Sequence, residues 1–148
     1  MATGRARAVY SQLYQTFQAV DRAHERWLAT LGSNGARYAV LAALAEAGRP
    51  ITPSDISDGT GRSPNAISPL LRGLQEEGLI KRAPNASDRR SHFLSLTPVG
   101  KRLAQRLQKE EDAFISSVMG RGAGKELDTL ERALGTIAER AARAQRVR

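Results

Sequence analysis

The stretch from residue 62 to residue 100, RSPNAISPLLRGLQEEGLIKRAPNASDRRSHFLSLTPVG, constrains the fold more than any other part of the chain. It holds a helix-period pattern, a short apolar hook and two strand-like runs around a basic turn, in that order. In the first pattern Ile67, Leu70, Leu71 and Leu74 form a stripe at i, i+3, i+4 spacing, and Asn65, Ser68, Pro69 and Arg72 fall on the opposite side. Pro69 should remove one backbone hydrogen bond or kink the first turns. Gly78 ends the helix and Leu79–Ile80 turns the chain back. Lys81–Arg82 then leads into the turn-rich tip Pro84-Asn85-Ala86-Ser87-Asp88-Arg89-Arg90, and SHFLSL returns as a second strand.

The flanking segments fit around this unit. Thr52-Pro53-Ser54-Asp55 combines an N-cap, a proline in the first helical position and an acid three residues after the cap. The helix it opens is anchored by Ile56 and closed by Gly59 and Gly61, and Ser63-Pro64 starts the next one a few residues later. Two closely spaced helices with a glycine-containing turn make a helix-turn-helix. Before it, Ser33 caps a helix over residues 34–47 with Tyr38, Leu41, Leu44 and Ala45 inward. Residues 5–31 carry a long apolar stripe that includes Val9, Leu13, Phe17 and Trp27.

After the hairpin, Thr97-Pro98 starts a helix to about residue 119 with Val99, Leu103, Leu107, Phe114, Ile115 and Val118 inward. The glycines from 120 to 124 break it, and a last helix over 126–147 carries Leu127, Leu130, Leu134, Ile137 and Ala141. One small lobe cannot cover the stripes of the first helix and the last two, so a second copy of the chain is expected to. The expected fold is mainly α with a small β-hairpin wing. It is a single 1–148 domain, a winged helix-turn-helix lobe over 33–100 with dimerisation helices at 5–31 and 98–147.

Charge narrows the function. The 148 residues carry a net charge of +8, which favours a polyanionic partner. Between Arg62 and Arg102 eight basic residues face three acidic ones, so a quarter of the chain holds more than half of the excess. There is no cysteine, hence no disulfide, thiol switch or cysteine-based zinc site. His24 and His92 lie on different elements, which argues against a metal site, and no cofactor is expected. No apolar run has the length of a membrane span and the N-terminus lacks a signal-peptide core, so a cytoplasmic protein is expected. No nucleophile, phosphate loop or paired acids of catalytic spacing stand out, so the chain does not read as an enzyme.

The residue types then assign a duplex DNA interface. Asn65, Ser68 and Arg72 are small, amide and guanidinium groups able to read base edges in a crowded major groove. Ser63 and Ser54, at helix N-termini, suit phosphate, as do Arg62 and Arg82. Arg90 at the hairpin tip can enter a narrow minor groove, with Asp88 holding it and Arg89 on phosphate. The blander alternatives are a solvated helix face and a turn salt bridge worth little. His24, Trp27, Arg37 and Tyr38 could line a ligand pocket, although such residues more often pack a core or a dimer. Two rival readings use the same residues: an architectural protein coating DNA with little sequence preference, and a winged-helix module for protein partners.

The wing segment carries a specific resemblance. Gly78-Leu79-Ile80, Arg82, Asp88-x-Arg90, Leu94, Leu96-Thr97 and Gly100 resemble the MarR family of bacterial transcriptional regulators, and the element order matches over essentially the whole chain. That resemblance implies a homodimer on a pseudo-palindromic operator, with recognition helices in major grooves and wings in flanking minor grooves. Family members usually repress, and many release DNA on binding a small, often aromatic, anionic ligand where the terminal helices meet the DNA-binding lobe. Ser68-Pro69-Leu70-Leu71 is similar to the peroxide-sensing branch. That branch senses oxidant through a cysteine of the first helix, so its chemistry does not carry over to a chain without one.

Overall fold

A computed structural model describes residues 3–85, 91–120 and 124–145. Six helices and one hairpin follow in the order α1 (Gly4–Thr30), α2 (Gly35–Ala47), α3 (Pro53–Thr60), α4 (Pro64–Glu76), β1 (Ile80–Pro84), β2 (His92–Leu96), α5 (Pro98–Met119) and α6 (Lys125–Gln145). This is the mainly helical winged helix-turn-helix expected. The chain forms two compact units, residues 1–114 and 115–148.

Each start in the first unit has a local cause. The Thr52 hydroxyl accepts from the Asp55 N–H at 3.2 Å, and the Asp55 carboxylate accepts from the Thr52 N–H at 2.8 Å, closing a reciprocal capping box on α3. Those bonds to Thr52 hold the Asp55 carboxyl below its ordinary range. Ser63 caps α4 with Pro64 in the first turn, as the sequence indicates. The cap of α2 is Asn34 instead of the expected Ser33, its Oδ1 accepting from the Arg37 N–H at 2.9 Å. Ser33 is already spent closing α1. Its N–H reaches back to the Leu28 carbonyl at 2.9 Å across Gly32 at φ 70°, a left-handed helix ending that leaves the next residue to start α2.

The strands pair antiparallel, with Ile80 opposite Leu96 and Arg82 opposite Leu94. Ile51 adds a short third rung through two bonds to Leu94, at 3.0 and 2.7 Å. The core runs beneath this sheet, with Leu41, Ile56, Ile67, Leu71, Leu74, Ile80, Leu94 and Leu107 all enclosed. The stripe of α5 is covered only in part within the chain. Leu107 is enclosed, whereas Val99 lies half exposed in the first unit, and Ile115 and Val118 are exposed in the second. The stripe drifts around so long a helix, and one lobe is too short to cover all of it. In the second unit Met119, Leu127, Leu130 and Leu134 line an open apolar groove of about 530 Å³. Among the described residues no helix is long and apolar enough to cross a membrane.

Candidate nucleic-acid interface

Helix α4 presents its side chains as the spacing predicts. Ile67, Leu71 and Leu74 face the core, and Asn65, Ser68, Pro69 and Arg72 are all exposed on the other side. Pro69 sits inside the helix and has no N–H to offer the Asn65 carbonyl. One turn earlier the Ser68 hydroxyl donates to the Pro64 carbonyl at 2.9 Å. The open side is therefore narrow, polar and free of bulky groups.

Its approach angle is fixed at the N-terminal end by a contact the sequence reading missed. Ser57, the one buried polar residue among those described, donates its hydroxyl to the Arg62 carbonyl, while the Arg62 N–H bonds the Ser57 carbonyl at 3.2 Å. These two bonds lock the turn between α3 and α4. Ser63 Oγ accepts from the Ala66 N–H at 3.4 Å, so its own proton stays available to a phosphate oxygen. Arg62 is exposed next to it, and Ser54 is exposed in the first turn of α3.

On the hairpin, Lys81 and Arg82 are exposed while Ile80 is buried. Arg82 lies on a strand that packs against α4, and among the described residues it brings positive charge without an acidic partner. Asp88, Arg89 and Arg90 lie outside the described residues.

The four residues read as a ligand pocket divide into two arrangements. His24 and Trp27 stack with ring centroids 5.4 Å apart, Trp27 stacks on Phe114 at 5.3 Å, and Tyr38 stands edge-on to His24. Glu111 joins them, with one oxygen 3.5 Å from His24 Nε2 and the other accepting from the Tyr38 hydroxyl. Burial, followed by the bond to Glu111, raises the Tyr38 phenol far above its ordinary range. Arg37 is not brought into this group. It forks onto Glu77 with two bonds of 2.5 and 2.6 Å. That bond raises the Arg37 guanidinium and lowers the Glu77 carboxyl.

A cavity of about 470 Å³ opens on the same unit between the end of α2, the outer face of the hairpin and the first turns of α5. Leu44, Ala45 and Leu96 give it an apolar wall, and Arg49, Lys81 and Lys101 give it three cationic side chains. No signal in the sequence singled these out, because the six come from four separate segments.

Comparison with known proteins agrees with this fold. Residues 31–91 match the MarR family. The chain is similar to the HTH-type transcriptional repressor YetL of Bacillus subtilis, 23% identical over 133 residues, which span 89% of this chain and 80% of that protein. Its fold is similar to that of AbsC, a MarR family transcriptional regulator from Streptomyces coelicolor, with a TM-score of 0.86 at 23% identity over 96% of this chain and 97% of the other. It is also similar to Sco3205 from the same organism, a MarR family transcriptional regulator solved in complex with DNA. There the TM-score is 0.84 at 21% identity, covering 94% of this chain and 89% of that one.

Proposed function

We propose that this chain, whose residues 31–91 match the MarR family, is a member of that family of winged helix-turn-helix regulators and a transcriptional regulator acting as a homodimeric repressor on a pseudo-palindromic operator. The observation that carries this reading is the open face of α4. Asn65, Ser68 and Arg72 stand exposed on a helix clamped into the lobe, between phosphate-binding groups at its N-terminus and a basic hairpin. Arg72 suits the O6/N7 edge of guanine and Asn65 suits adenine. Arg62, Arg82 and Arg89 supply the salt-dependent phosphate attraction, and Arg90 the minor-groove contact, oriented by Asp88.

The dimer rests on uncovered apolar surface. Tyr10, Tyr14 and Phe17 of α1 are more than half exposed, an apolar row that one chain leaves facing water. A two-fold dimer places half-sites about one helical turn apart. For the ligand, we favour the cationic cavity beside α5, which suits a small anion with an apolar body. The ring cluster of His24, Trp27 and Tyr38 is closed by its own stacking.

Selection from a random duplex library at near-physiological salt tests the reading, run with the wild type, Arg72→Ala and Arg90→Ala. An inverted repeat should be enriched by the wild type. Arg72→Ala should relax one base position at a cost of about 1–3 kcal/mol, and Arg90→Ala should weaken binding with the fold intact. Salt-sensitive binding without enrichment would instead mean an architectural protein, and no duplex binding a protein-interaction module.

A further inference from the structure

The C-terminal end of α4 is held by more bonds than a helix end needs. Glu77 closes the helix by donating its N–H to the Gly73 carbonyl, and Gly78 follows at φ 69°. From one side the hairpin exit grips this corner. The Thr97 hydroxyl donates to the Gly78 carbonyl at 2.6 Å and the Thr97 N–H to the Leu79 carbonyl at 3.0 Å. A Cβ at Gly100 would stand 1.9 Å from that same Leu79 oxygen, so α5 starts flush against the corner. From the other side comes the Arg37 fork, from the first turn of α2.

Arg37 itself sits at a crossing. Its own N–H completes the Asn34 cap. Two residues before it, the Gly35 N–H donates to both Glu25 oxygens of α1, at 3.1 and 3.2 Å. Its neighbour Tyr38 donates to Glu111 of α5. One helical turn therefore touches α1 through Gly35, α4 through Arg37 and α5 through Tyr38. Of these three ties only the Arg37 fork reaches α4, so it joins the end of α4 to the turn that also meets α1 and α5.

Stability does not explain the fork. The Glu77 side chain is 48% exposed and the pair bridges 40 residues of sequence. A partly exposed ion pair contributes little to folding, whereas two parallel bonds from a planar guanidinium fix direction strongly. We infer that Arg37 and Glu77 are a positioning pair that sets the tilt of α4 relative to the helices joining the two subunits, and so sets which half-site spacing the dimer accepts. The inference rests on the DNA-binding reading above. Neither residue touches DNA in it.

The test measures affinity for the selected inverted repeat and for repeats with one base pair inserted or deleted between half-sites. The full-length wild type, Arg37→Gln, Glu77→Gln and the exchanged pair Arg37→Glu/Glu77→Arg are compared. The wild type should prefer one spacing sharply. Each single variant should lose about tenfold at that spacing and almost nothing at the others, which flattens the preference. The exchanged pair should restore most of it, and melting temperatures should stay close to the wild type. Uniform loss at all spacings, or an unchanged preference, would overturn the pair while leaving the DNA-binding reading standing. A wild type with no preferred spacing would overturn both.

Discussion

Helices α4 and α6 are both built on leucines at helical spacing, yet Leu74 of α4 is fully enclosed while Leu134 of α6 keeps 43% of its surface. The difference lies in what the chain sets against each stripe. α4 meets α2, α3 and the hairpin of its own lobe, and its polar face stays open. In α6, Leu127, Leu130, Leu134 and Ile137 are all partly uncovered. An amphipathic helix gains most of its stability from the surface its stripe meets. So α4 is finished within one chain, and the stripe of α6 is left for the second copy of the proposed dimer.

The largest effect should come from the finished side. Leu74→Ala should cost about 3 kcal/mol, by the lost burial and the cavity left behind, and the loss should not depend on protein concentration. A denaturant titration at two concentrations checks it. Leu134→Ala should cost less, about 1–2 kcal/mol per subunit, and should act through assembly. Its melting temperature should fall with dilution more steeply than the wild type's, and light scattering should show more monomer. Concentration-independent loss at Leu134 would place its burial inside one chain and break the contrast.

The same contrast governs what the sequence could reveal. The start of α3 was legible to the residue because its cap, proline and acid lie within four positions and satisfy one another. The reading face of α4 was legible because helical period fixes which side Asn65, Ser68 and Arg72 take once Ile67, Leu71 and Leu74 go inward. The start of α2 was misjudged by one residue, since both Ser33 and Asn34 can cap. The decision falls to how α1 ends and to the Glu25 carboxylate on the Gly35 N–H. Arg37 shows the limit more sharply. Its neighbours in sequence suit an aromatic pocket, and its partner lies 40 residues away. The cationic cavity was hidden for the same reason, since Arg49, Lys81 and Lys101 converge only in three dimensions. Apolar spacing says that some surface should cover Val99, Ile115 and Val118, and in the single chain all three stay open.

The smallest expected effect lies at the α3 capping box, where the lobe is complete and the contribution can be read by pH. Asp55 accepts from Thr52 more strongly as a carboxylate than as the neutral acid, and those bonds lower its folded pKa below the unfolded value. A lowered acid stabilises the fold above the unfolded pKa, and that contribution disappears as pH falls through the folded one. Thr52→Ala should therefore cost about 1 kcal/mol at neutral pH, and less below the usual carboxylate range, where the wild type has already lost half of the box. Melting the two proteins from pH 7 down to pH 3 should show their curves converging. A gap that stays constant over that range would mean that the Thr52 hydroxyl carries the cap alone. The bond that the Thr52 hydroxyl donates to the Asp55 carboxylate at 2.8 Å would then contribute nothing to the cap that holds α3 at the angle from which α4 is presented.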